Sequence, residues 1–235
     1  MLTFLSGKIS ERKLRLFAVA CCRRLQGLLV HPVSRQAVEV AEQFADGLTS
    51  VEELVELHRI AEDVWVCLLD TYTAEPLDPD NEFHIAIHNA GIRPFAAEAA
   101  AGAAAAAVGQ MQGEVSVVTA CAYAAEAIGW LGVSGDYCDA EAEARERGVQ
   151  AALLRDIVGP LLFRQITLNH CWRTPAVVGL AKSINQERRF DDLPILGDAL
   201  EESGCDNEDV LRHCRQETVP HVHGCWLLDL LLAKW

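Results

Sequence analysis

Ser10-Glu11-Arg12-Lys13-Leu14-Arg15-Leu16-Phe17-Ala18-Val19-Ala20-Cys21-Cys22-Arg23-Arg24-Leu25-Gln26-Gly27-Leu28 is the stretch that decides the fold class. Leu14, Phe17, Cys21, Leu25 and Leu28 recur at spacings of three and four, the period of one face of an α-helix. Ser10 stands where a helix needs a side-chain acceptor for an unsatisfied first-turn amide. The spacing predicts a helix from Ser10 to about Val30, stopped at His31-Pro32 because proline disfavours helical backbone in the residue before it.

The same pattern continues along the chain. Val33, Ala37, Val40, Ala41 and Phe44 predict a helix from about Val33 to Ala45, with Gly47 as its stop. Ser50-Val51-Glu52-Glu53 is a capping box, opening a helix that reaches about Thr71. A proline- and aspartate-rich loop follows at 75–81, then a short helix near 82–89. The alanine-rich stretch 95–131 reads as two helices, about 95–110 and 114–131. Further helices are expected at about 139–157, from Thr174-Pro175 to Arg188, from Asp191 or Asp192 to Leu200, from Asp206 or Asn207 to Arg215, and at about 224–234. Residues 160–173 read as irregular, with room for a short extended piece at 163–168. No alternating pattern of strand length occurs. The expected fold is all-α, a multi-helix orthogonal array or bundle of about nine to eleven helices. One domain spanning 1–235 is expected, and the proline-rich loop near 75–80 is where a subdivision would fall.

Composition narrows the function classes. Half of the 235 residues (51%) are hydrophobic and 23% are charged, a balance that folds rather than stays disordered. The net charge of −14 repels phosphate backbones, so nucleic acid is not an expected partner. No apolar run reaches the roughly 20 residues of a membrane helix, and no membrane partner is expected. Nine cysteines, including the adjacent Cys21-Cys22, make a poor disulfide framework, so reduced thiols and a cytoplasmic setting are the expectation.

The charge is unevenly spread. Residues 1–35 hold seven Lys/Arg against the single acid Glu11, and the remainder is strongly acidic. Two readings follow: a basic helix packed beside acidic neighbours in the same fold, or a docking patch of Arg12, Arg15, Arg23 and Arg24 for another protein.

For chemistry, the best cluster is Cys205, His213, Cys214, His221, His223 and Cys225, since thiolate and imidazole donors suit zinc. His213 and Cys214 are adjacent on a predicted helix and point apart, so both cannot easily serve; Cys205, His213, His221 and Cys225 are the four-ligand candidate. The spacing is not that of a zinc finger, and the commoner reading of Cys205, Cys214 and Cys225 is as small buried hydrophobes. His84 and His88 share a helix face four residues apart, without the intervening glutamate of a metalloprotease helix. Cys21 or Cys22 on a basic helix could have a thiol pKa lowered by nearby arginines, although Cys21 falls on the apolar face and reads as core. Asp229, among the leucines of 226–232, could face solvent or pair with Arg215 or Arg24.

A set of segments resembles a family of uncharacterised bacterial helical proteins. These are Arg12-Lys13-Leu14-Arg15-Leu16-Phe17-Ala18 with Ala20-Cys21-Cys22-Arg23-Arg24, Ala37-Val38-Glu39-Val40-Ala41-Glu42, Leu153-Leu154-Arg155-Asp156-Ile157, Leu193-Pro194-Ile195-Leu196, and His221-Val222 with Gly224-Cys225-Trp226 and Asp229-Leu230-Leu231-Leu232. The resemblance covers the two ends of the chain and implies no activity. This chain has Gly159-Pro160-Leu161-Leu162-Phe163 where the family tends to have Gly-Asn-Pro-Phe, and His223 where it tends to have arginine.

The leading expectation is therefore a non-enzymatic module that scaffolds or binds another protein and needs no cofactor. The alternative is a metal- or thiol-dependent enzyme built on the C-terminal Cys/His cluster, with zinc as cofactor.

Overall fold

The computed structural model describes residues 8–73, 94–108, 115–131, 138–160, 164, 166, 168–216 and 220–234. Among these are ten α-helices, two 3-10 turns and no strand. The helices are α1 (Glu11–Arg23), α2 (Pro32–Ala45), α3 (Val51–Thr73), α4 (Pro94–Val108), α5 (Val115–Gly129), α6 (Ala140–Val158), α7 (Pro175–Glu187), α8 (Leu193–Glu202), α9 (Glu208–Cys214) and α10 (Trp226–Leu232). The 3-10 turns are His170–Trp172 and Phe190–Asp192. The all-α expectation holds. The expected helix near 82–89, with His84 and His88, lies outside the described residues, as does most of the 163–168 piece.

Local chemistry accounts for most of the helix ends. The Ser10 hydroxyl accepts from the Lys13 amide at 3.4 Å, Ser50 from Glu53 at 3.2 Å, and Thr174 from Val177 at 3.3 Å. Asn207 Oδ1 takes two amides, those of Asp209 and Val210, at 3.0 and 3.2 Å. α1 ends at Arg23 rather than near Val30. Beyond it the chain tightens into three-residue turns, with the Leu28 amide on the Leu25 carbonyl at 2.7 Å. Leu25, Leu28 and Leu29 are still buried, so the apolar spacing marked the core face correctly past the end of the regular helix.

The chain forms two compact units, 1–150 and 151–235. The proline-rich loop near 75–80, where a subdivision is expected, lies outside the described residues. In the first unit α4 packs chiefly on α5 and α3, and α1 on α2 and α5. The alanines make this close: Ala96, Ala100, Ala103 and Ala104 of α4, with Ala120, Ala124 and Ala125 of α5, have no exposed surface. In the second unit α7, α8, α9 and α10 surround a core containing Ile184, Leu193, Leu196, Leu200, Val210, Leu227 and Leu231. Asp229 lies in that unit with no exposed surface, while Arg215 pairs with Asp198 and Glu201, and Arg24 with Glu146. No helix among the described residues is long and apolar enough to cross a membrane.

Candidate metal centre

Four side chains from three separate segments of the second unit converge. Asp156 sits on the last turns of α6, among the buried Leu153, Leu154 and Ile157. His213 precedes Cys214 on α9; the helix sends Cys214 into the core and His213 toward Asp156, the divergence expected of adjacent helical residues. His221 and Cys225 flank the turn that leads into α10, with the Cys225 amide on the Val222 carbonyl at 3.0 Å. One donor atom from each of Asp156, His213, His221 and Cys225 lies within 4.8 Å of the others. The side chains of Asp156, His221 and His213 are 0%, 8% and 11% exposed, and Cys225 is fully buried.

The hydrogen bonds assign most of the protons. The Val222 amide donates to Asp156 Oδ2 at 3.0 Å, and His221 Nδ1 lies 2.6 Å from Asp156 Oδ1. A carboxylate only accepts, so this pair places the His221 proton on Nδ1. In the neutral ring His221 Nε2 then carries the lone pair, and it is buried without a hydrogen-bond partner. The Trp226 indole N–H donates to His213 Nδ1 at 3.1 Å. His213 Nε2 faces Cys225 Sγ at 3.0 Å and Asp156 Oδ1 at 3.5 Å. The two imidazoles meet edge to face, with centroids 4.7 Å apart. Burial pulls the His213 pKa down to about 4, with the neighbouring His221 pushing the same way and the Asp156 charge opposing. His221 also borders a cavity of about 520 Å³, together with Arg188, Phe190, Asp191 and Pro194.

Of the four ligands expected from sequence, the structure brings together His213, His221 and Cys225. Cys205 is not in the group. It follows Gly204 at the end of α8, in the apolar core with Cys214, where burial raises both thiols, that of Cys214 to about 12. Asp156 takes its place. A signal for it existed in the sequence: a single acid next to Ile157 in the apolar end of a predicted helix. Reasoning from cysteine and histidine alone passes over it.

The other candidates go elsewhere. Cys21 and Cys22 are fully buried; the Cys121 thiol 3.7 Å away, together with burial, holds the Cys21 thiol well above its usual range, and burial does the same for Cys22. Neither is an activated nucleophile. The four arginines of the expected docking patch are engaged within the first unit. Arg12 pairs with Asp46 at 2.8 Å, Arg23 with Glu42 at 2.7 Å, and Arg24 makes two 2.8 Å bonds to Glu146. Arg15 donates to the Ala107 carbonyl at 2.9 Å and lies over the Phe44 ring at 5.0 Å.

No protein-family model matches this sequence, and neither a curated protein nor a solved structure is significantly similar to it.

Proposed function

We propose that the C-terminal unit is a metal-binding helical module that holds a zinc-class ion between Asp156, His213, His221 and Cys225. The observation that carries this reading is the convergence of four donors within 4.8 Å, Asp156 and Cys225 buried and the two histidines nearly so, from residues as far apart as 156 and 225. One thiolate, two imidazoles and one carboxylate make a mixed S, N, O set that suits zinc better than magnesium or calcium, which prefer oxygen alone. Four protein donors fill a tetrahedral shell. The ion's role is then structural: it ties the end of α6 to α9 and to the turn before α10, rather than activating a water. The cavity beside His221 offers a path for the ion to enter. Electrostatic docking of another protein on α1 draws no support from Arg12, Arg15, Arg23 and Arg24, which are engaged internally.

Elemental analysis of the full chain, purified from zinc-supplemented culture, tests this directly. About one equivalent of zinc is expected, with a lower melting temperature in chelator. His221→Ala and Cys225→Ser should lose the ion while keeping helical circular dichroism. Less than about 0.2 equivalents, with no thermal shift in chelator, would overturn the reading.

A further inference from the structure

We infer that Trp226 is a positioning residue that opposes metal loading, because its indole holds His213 in the tautomer a metal ion must undo. This rests on reading the Asp156–His213–His221–Cys225 group as a metal centre.

An indole N–H can only donate. At 3.1 Å from His213 Nδ1 it makes that nitrogen an acceptor, so Nδ1 carries no proton. The ring is then neutral, and its one proton sits on Nε2. Nε2 is the nitrogen that faces Cys225 Sγ and Asp156 Oδ1, at 3.0 and 3.5 Å. Proton and metal ion therefore compete for the same lone pair.

For a metal to take Nε2, the ring's proton has to appear on Nδ1, and the Cys225 thiol proton has to leave to solvent as the thiolate ligand forms. Nδ1–H would then point at the indole N–H, donor against donor. The indole has to turn away. It is not free to do so without cost, since it is packed tightly on the end of α6: a Cβ at Gly159 would stand 2.3 Å from Trp226 Cγ. The His213 ring also lies close to it, with centroids 4.9 Å apart. Metal occupancy and the indole hydrogen bond exclude one another. Because Trp226 adjoins the ligand Cys225 and begins α10, the ion's arrival is felt directly in the packing of that helix on the Gly159 turn.

Two measurements on the full chain test this. In ¹⁵N-labelled protein, the Trp226 indole resonance is identified by its loss in Trp226→Phe, and zinc is then titrated into wild type. The resonance is expected to leave its hydrogen-bonded position in step with binding. In competition with a chromophoric chelator, Trp226→Phe is expected to bind zinc about tenfold more tightly, the worth of one hydrogen bond no longer broken. If wild type binds zinc with the indole resonance unmoved, or if the variant's affinity stays within about twofold of wild type, the inference fails and the metal reading stands. If wild type binds no zinc, the metal reading itself fails. Should Trp226→Phe not fold, the resonance is assigned by backbone connectivity and its response decides alone.

Discussion

His213 is a buried imidazole kept neutral by its surroundings, and this has a consequence for acid stability. Its pKa falls from the ordinary 6.5 to about 4, chiefly through burial. The unfolded chain protonates at the ordinary value. Between about pH 6.5 and about pH 4 the unfolded state thus binds more protons, and folding weakens as pH drops through that window. Above it the contribution is constant. For the metal-free protein the loss should reach about 2–3 kcal/mol by the low end. Urea titrations at about pH 7 and about pH 5 would measure it, and His213→Gln should flatten that part of the slope. A steepness unchanged in His213→Gln would mean that other groups carry the acid sensitivity. His213 was legible as a donor from its residue type. Its tautomer was not, because that depends on Trp226, thirteen positions away.

Helix ends were the most legible elements. Ser10, Ser50, Thr174 and Asn207 cap where their side-chain chemistry says they should, since a cap involves only the next two or three amides. The end of α6 shows a second constraint. Gly159 adopts φ +63, the left-handed conformation that closes a helix, and its missing side chain makes room for Trp226. Gly159→Ala combines backbone strain with a clash and should cost about 2–4 kcal/mol. Gly148, exposed within α6 with nothing near its would-be Cβ, gives the opposite sign: Gly148→Ala should stabilise by about 0.5–1 kcal/mol. Denaturant midpoints of the two variants, measured side by side, check both. A Gly159→Ala protein as stable as wild type would show that the Trp226 contact is looser than described.

The charge asymmetry of the whole molecule resolves inside the first unit. Basic residues of α1 and of the turn after it meet Glu42 and Asp46 of α2 and Glu146 of α6. The Arg24–Glu146 pair is lopsided, since the arginine side chain is 36% exposed and the glutamate 2%. Removing the arginine strands a buried carboxylate, whereas removing the glutamate leaves a cation that can reach water. Arg24→Met should therefore cost about 3–5 kcal/mol, Glu146→Leu about 1–2 kcal/mol, and the double variant less than Arg24→Met alone. A double-mutant cycle by chemical denaturation reads all three, and equal single costs would contradict the asymmetry. That the acids of α2 and α6 were the partners could not be read from the chain, because Glu146 lies 122 residues from Arg24. The same divide runs through the molecule. Helicity, caps and core faces follow from interactions within one or two turns, so the amino-acid order alone determines them. Asp156 displacing Cys205, the tautomer of His213 and the pairing of the arginines come from side chains that meet only when distant segments pack, where burial decides which neighbours satisfy which polar group.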